Sequence, residues 1–295
     1  MDSGRGGQDG FVRGLVARHL PGYRVGSVVL LGEGEDNVAY EVGGELIVRF
    51  SKEPDPGRRA DVVDREVRLL GAVAGVSPLA VPEPGFSDAE QGCFAYFRLP
   101  GRPLIDLPLS RRAAHGAVIG ARVGELLAAL HAVPVGEVER LVDVDDQPGA
   151  VWLEEAADTY DVIVPSVPAA HRRAVEAFLG EPPPDEGHPL VFSHNDLGIE
   201  HVLVDEATWT CTGVIDWSDA AICDPARDFG LLYRDLGATA LHSALRSYGA
   251  RDGAIRDRAA FYAKCGVLED MAYGIGTGRA AYLDKSLAAL AWLYP

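Results

Sequence analysis

The densest run of chemically capable side chains lies at Val191–Asp205, VFSHNDLGIEHVLVD, and is followed by VIDWSD at Val214–Asp219. The apolar runs place His194, Asn195 and Asp196 in a turn after one short strand, His201 at the opening of a second, and Asp216 at the end of a third. Two carboxylates on neighbouring loops, with polar partners nearby, suit a site for a divalent cation and a phosphoryl group. One can accept or orient a hydroxyl proton. The other can hold Mg2+, which prefers hard oxygen ligands. Any single one of these residues is equally well explained as a turn-former between strands, but the ordered set is not.

The elements that must position this set fall into two parts. Residues 1–10 are expected to be a loose tail. VGSVVLL, VAYEV and ELIVRF, between Val25 and Phe50, are short β-rich runs joined by GEGEDN and GG, which reads as a small antiparallel meander. In Arg58–Gly75, Val62, Val63, Val67, Leu70 and Val73 recur at helical spacing. PLAVPEPGFSD is expected as loop and GCFAYFRL, Gly92–Leu99, as a further strand, broken by PGRP. Beyond that break the pattern turns helical. Ala114–Val133 carries one apolar face of Ile119, Val123, Leu126, Leu127 and Leu130. Helices are expected at Trp152–Val164, Ala169–Leu179, 226–236, 239–248, 254–273 and 277–293, with a stiff connection at Glu181–Pro189. The fold class is therefore α+β in two lobes. A small β-rich N-lobe with one main helix spans 11–99, a larger mainly helical C-lobe spans 100–295, and a substrate cleft is expected between them.

Composition narrows the partners. The 295 residues carry 27 Lys+Arg and 44 Asp+Glu, and 27 − 44 = −17. That excess argues against nucleic acid and anionic membrane surfaces and favours a small cationic partner. Cys93, Cys211, Cys223 and Cys265 are scattered without a CxxC pair, which predicts reduced thiols in a cytoplasmic protein. The opening MDSGRGGQDG lacks a signal peptide's apolar stretch, and no run of 18 apolar residues suggests a membrane span. No heptads appear, so oligomeric state stays open.

The order His194-Asn195-Asp196, His201, Asp216-Trp217 resembles the catalytic loop and metal-binding strand end of the protein-kinase-like fold, written HRDLxxxN and DFG in kinases. Within that fold, LGEGEDNVAYEV, VFSHNDLGIEHVLVD and IDWSD, with YGI further on, resemble the aminoglycoside phosphotransferases over nearly the whole chain, closest to the 2''-O-phosphotransferase branch. Macrolide phosphotransferases are near relatives. They share His at the metal position and a similar Asp-Trp strand end.

The resemblance implies a Mg2+-dependent phosphotransferase that uses ATP or GTP and inactivates an aminoglycoside. Asp196 is then the catalytic base, Asp216 and His201 the metal-binding positions, and His194 and Asp228 structural supports. Gly32, Gly34 and Asn37 match the phosphate-covering loop. Arg49 stands where most relatives carry a phosphate-pairing Lys, and Glu66 matches its helix partner. Main-chain groups of Phe97 and Leu99 would meet the nucleotide base. Asp219 and Asp235 match acidic acceptor-binding positions, and Asn195 and Glu200 flank the base. The acids Glu154, Glu155, Asp158 and Asp161, with Glu269, Asp270 and Tyr273, are further acceptor candidates or a solvated face and core. The alternatives are a kinase for a macrolide or another small metabolite, and a non-catalytic nucleotide-binding module. Retention of both Asp196 and Asp216 disfavours the last.

Overall fold

The computed structural model describes residues 3–34, 36–185, 187–249 and 253–295. The chain forms two compact units, one of residues 1–75 with 80–99 and one of 76–79 with 100–295.

In the first unit, helix α1 (Ser3–His19) precedes strands β1 (Val28–Glu33), β2 (Asn37–Val42) and β3 (Leu46–Ser51). Helix α2 (Pro56–Ala74) and strands β4 (Pro84–Asp88) and β5 (Cys93–Phe97) follow. The sheet is antiparallel in the order β1-β2-β3-β5-β4. Two segments depart from the sequence expectation. Residues 3–10, expected as a tail, are the opening turns of α1. That helix has weak intrinsic propensity in its glycine-rich start. Val12, Leu15 and Val16 make up for it by burying in one core with Val42, Leu46 and Cys93. The PGFSD segment, expected as loop, is strand β4. Its Pro84 is tolerated because β4 is an edge strand. His19 anchors α1 there, with Nε2 2.9 Å from Asp88 and its ring stacked on Phe86 at 4.6 Å. Helix α2 starts at Asp55, whose side chain accepts from the Arg58 amide at 2.9 Å, with Pro56 in its first turn.

The second unit contains β6 (Arg102–Pro103), α3 (Leu109–His131), α4 (Val135–Val138), β7 (Asp143–Val144), α5 (Gly149–Ile163) and α6 (Ala169–Leu179). Strands β8 (Val191–Ser193), β9 (Val202–Val204), β10 (Cys211–Val214) and β11 (Ala221–Cys223) come next. The helices α7 (Ala226–Tyr248), α8 (Ala254–Thr277) and α9 (Ala280–Leu293) close the chain. Its spine is α3 packed along α7. A Cβ at Gly120 or Gly124 would overlap the Ala240 or Ala244 carbonyl, so these positions let the two backbones touch. Among the described residues α3 alone is long and apolar enough to cross a membrane by length and composition. Its apolar face of Ile119, Val123, Leu126, Leu127 and Leu130 is fully used in burial. Helix α7 breaks at Gly237, whose φ of 76° is left-handed, between the two helices expected from sequence.

Two three-stranded sheets hold the chemical segment. Strand β9 pairs with β10 and β6, while β11 pairs antiparallel with β8 and parallel with β7. The loop 194–201 runs from β8 to β9, and the Asp216 loop runs from β10 to β11. Each loop thus has one end in each sheet, which brings the two together. Strands β6, β7 and β11 hold two or three residues each, too few to show a period in sequence. All four cysteines are free and buried. Burial pushes the thiols of Cys93, Cys211 and Cys265 up to about 12, which makes them inert.

Candidate functional site

The loop after β8 is held from below by Asp228, in the first turn of α7 and fully buried. Its carboxylate accepts from the Ser193 hydroxyl at 2.6 Å and from the amides of Asn195 and Leu197, each at 3.1 Å. Those amides bracket Asp196. Asn195 has φ 70° and Asp216 φ 61°, so both loops pass through the left-handed region beside the reactive groups.

His194 joins the two loops. Its Nε2–H donates to the Ile215 carbonyl at 3.1 Å, its Nδ1 accepts from the Asp196 amide at 3.3 Å, and its ring lies 4.5 Å from that of Trp217. Burial pushes His194 down to about 4, so the imidazole is neutral, as this pattern of one donor and one acceptor requires. The sequence-assigned supports His194 and Asp228 thus sit beneath the two acids, each bonded to the loop that carries Asp196.

His201 donates from Nδ1 to the Asp196 carbonyl at 2.8 Å, which turns Nε2 toward the Asp216 carboxylate, 3.7 Å away. Its pKa moves up. Burial works against the charge, but Asp196, Asp216 and Glu200 outweigh it. The Asp196 and Asp216 side chains reach solvent at 42% and 43%. The surrounding protein raises the Asp196 carboxyl, helped by Glu200 and Asp219 and opposed by His201.

Among the described residues no group of three or more His, Cys, Asp or Glu is placed to hold a metal ion by itself. The donor set present is His201 Nε2, with its tautomer set by the Nδ1 bond, and the Asp216 carboxylate. That pair fits a cation that takes most of its ligands from phosphate oxygens and water, as Mg2+ does.

Asp196 and Asp216 open into a pocket of about 620 Å3. Its lining holds seven carboxylates (Asp145, Asp196, Glu200, Asp216, Asp219, Glu269 and Asp270) against Arg227, Arg234 and Arg279. Trp152, Tyr262, Tyr273 and Tyr282 supply aromatic walls. Asn195, Glu200 and Asp219 are brought to this pocket, as are Glu269, Asp270 and Tyr273. Of the acids on α5, Glu155 lines a cavity with Trp152, Thr159 and Glu269. Glu154, Asp158 and Asp161 are exposed and line none of the pockets described.

Asp235 requires a correction. It was expected to meet the acceptor, yet its side chain is 1% exposed. Its oxygens accept from Arg234 at 2.8 and 3.0 Å, from Lys285 at 3.1 and 3.2 Å, and from the Ile199 amide at 3.1 Å. Against the cost of burial, Arg234 and Lys285 hold its carboxyl well below the usual range. It is a strut under the loop 197–201. The cluster continues through Lys285 to Glu200 at 3.1 Å and to Asp270 at 2.8 Å. Arg234 and Lys285 were not singled out from sequence. The signal for Lys285 was its place, beside Asp284, in the otherwise apolar run of α9, where it is 2% exposed. Asp145 and Arg227, paired with each other beside Asn195, carried no such signal.

In the first unit, Arg49 on β3 lies 3.2 Å from Glu66 on α2, both mostly buried. Gly32, Gly34 and Asn37 lie at the β1–β2 connection, where the Gly34 amide donates to the Asn37 carbonyl at 2.9 Å. Lys52, another residue not singled out, donates to the Gly34 carbonyl at 2.7 Å and pairs with Glu33 at 2.8 Å, offsetting one acid of that turn. Glu35 lies outside the described residues. Phe97 ends β5 with an exposed ring 6.1 Å from Tyr23, and Leu99, two residues on, is half-buried.

The model of a phosphotransferase enzyme family matches residues 27–262. Viomycin phosphotransferase of Streptomyces vinaceus is 27% identical over 255 residues, covering 83% of this chain and 86% of that protein. Among solved structures, macrolide 2'-phosphotransferase from Brachybacterium faecium is 28% identical with a TM-score of 0.64, over 95% of this chain and 97% of that one. The GDP complex of aminoglycoside 2'-phosphotransferase-IIIa is 21% identical with a TM-score of 0.71, over 97% and 98% of the two chains, which establishes a shared fold.

Proposed function

The chain belongs to the phosphotransferase enzyme family, and from that premise we propose that it moves the γ-phosphate of ATP or GTP, with Mg2+, to a hydroxyl of an aminoglycoside antibiotic and so inactivates it. The observation that carries this reading is the pocket around Asp196 and Asp216, with seven carboxylates against three arginines. Such a lining attracts and orients an acceptor bearing several ammonium groups.

In phosphoryl transfer the protein mainly positions groups and stabilises charge. Asp196 orients the acceptor hydroxyl and takes its proton as the new oxygen–phosphorus bond forms. The bond from the γ-phosphorus to its bridging oxygen breaks, releasing the nucleoside diphosphate. His201 and Asp216 would hold the cation, which when bound would supply charge neutralisation at the phosphates. Arg49, kept in place by Glu66, pairs with phosphate oxygens, a task the guanidinium fork suits. Main-chain amides at Gly32, Gly34 and Asn37 cover the phosphates, and main-chain groups of Phe97 and Leu99 meet the base. Asn195, Glu200 and Asp219 contact the acceptor, with Tyr273 as a stacking wall. The four free thiols fit a reducing compartment, the cytoplasm.

A macrolide acceptor is the second reading, favoured by the 28% identity to the macrolide 2'-phosphotransferase. A panel of aminoglycosides and macrolides, assayed for phosphate transfer from ATP and GTP, separates the two. Transfer to aminoglycosides is expected. Transfer confined to macrolides overturns the acceptor class, and transfer to neither points to another hydroxylated metabolite.

A further inference from the structure

Behind the loop that carries Asp196, a line of half-buried and buried side chains connects the far end of α7 to its beginning. Tyr248, the last residue of α7, places its hydroxyl 3.0 Å from His131 Nδ1, and His131 ends α3. His131 Nε2 lies 3.0 Å from the Ser193 hydroxyl, which lies 2.6 Å from Asp228.

The protons fit this line in one direction. An ionised carboxylate only accepts, so Ser193 donates to Asp228. The Ser193 oxygen then accepts from His131 Nε2–H, which leaves Nδ1 bare to accept from Tyr248. This needs a neutral imidazole. Burial pushes His131 down to about 4, although Asp228 and Asp224 pull the other way. Phe229 and Tyr248 pack edge-on against its ring at 6.3 and 5.3 Å, so the imidazole has little room to turn.

The line ends on the carboxylate that holds the amides on either side of Asp196. We infer that His131 is a positioning residue for the catalytic loop: through Ser193 it fixes the Asp228 carboxylate, and through Asp228 the strained Asn195 and the base beside it. Asn195 sits at φ 70° and stays there only while its surroundings hold it. If the Ser193 hydroxyl is no longer oriented, the Asp228 carboxylate can rotate, and the Asn195 amide loses its acceptor.

Two variants and two readouts test this. In His131→Leu, kcat should fall by up to about 100-fold, the cost of a reacting group displaced by about 1 Å, with both KM values within about two-fold of wild type. His131→Gln, whose side-chain amide can donate to Ser193, should recover most of the loss. Ser193→Ala removes the line from its other side with little volume change and should reproduce the kcat loss, so failure of His131→Leu to fold does not shield the inference. Hydrogen exchange at the Asn195 and Leu197 amides should quicken in both variants. A kcat within two-fold of wild type in His131→Leu, or in Ser193→Ala should His131→Leu not fold, overturns the inference. So do equal losses in the Leu and Gln variants, or unchanged exchange at both amides. The kinetic arm rests on Asp196 as base. The exchange arm does not, and retained turnover in Asp196→Asn would remove that assignment while leaving the exchange result standing.

Discussion

Asp196 and Asp235 are both aspartates of the same unit, and the Ile199 amide that Asp235 holds is three residues from Asp196. Their surroundings are opposite. Asp196 keeps 42% of its side chain in solvent, stands on a strained loop and faces other acids. Asp235 is 1% exposed and has both oxygens committed to Arg234, Lys285 and a backbone amide. The first is under-compensated and available to a proton, a cation or a substrate. The second is over-compensated and available to nothing. Acidity alone therefore does not mark an acceptor site. What marks it is a carboxylate whose charge the protein does not fully offset and whose side chain solvent still reaches.

The contrast can be broken by substitution. Asp196→Asn should lower kcat by about 10²- to 10⁴-fold, the usual worth of a positioned base, while the denaturant midpoint stays near wild type. A stability loss matching that of the buried strut would erase the distinction. Asp235→Asn should destabilise the protein by about 3–5 kcal/mol, because two buried cations lose their main partner; urea unfolding measures it. Activity in that variant should track the folded fraction.

Asp270 offers a finer test, since it stands between the two kinds. It lies 2.8 Å from Lys285 and 3.1 Å from Arg234, but it shares both with Asp235 and Glu200. Burial, with those two acids, pushes its carboxyl up to about 6 against Arg234 and Lys285. A carboxyl raised on folding stabilises in its protonated form. That contribution is full below the unfolded value, near 4, and is lost as pH rises through about 6. Asp270→Asn is neutral at all pH. Relative to wild type, its stability should therefore rise by about 1–2 kcal/mol between pH 4.5 and 7. A flat difference across that window would mean that Asp270 is as fully compensated as Asp235.

Much of the candidate site was legible because its residues are close in sequence. His194, Asn195, Asp196 and His201 lie within eight positions, and short apolar runs on either side force a turn between strands. Burial of an acid is not legible in the same way. Asp219 and Asp235 look alike as text, and it is the fold that closes Arg234, the Ile199 amide and Lys285, fifty residues away on α9, around Asp235. The same holds for α1, whose glycine-rich start gives no helical signal and whose order comes from the sheet beneath it. Strand β4 was hidden by Pro84 and the prolines just before it; an edge position tolerates Pro84.

The sequence by itself determined the main strands and helices of the two lobes, the acids and histidines of the chemical loop, and the break in α7 between two helical runs. These follow from local periodicity and from turn chemistry, which act over a few residues. Tertiary structure alone decided which carboxylates meet a cation and which stay bare, and which histidine stands behind the loop. Those outcomes depend on distances between residues far apart in the chain, and a carboxylate's charge is neutralised through space, not along the backbone.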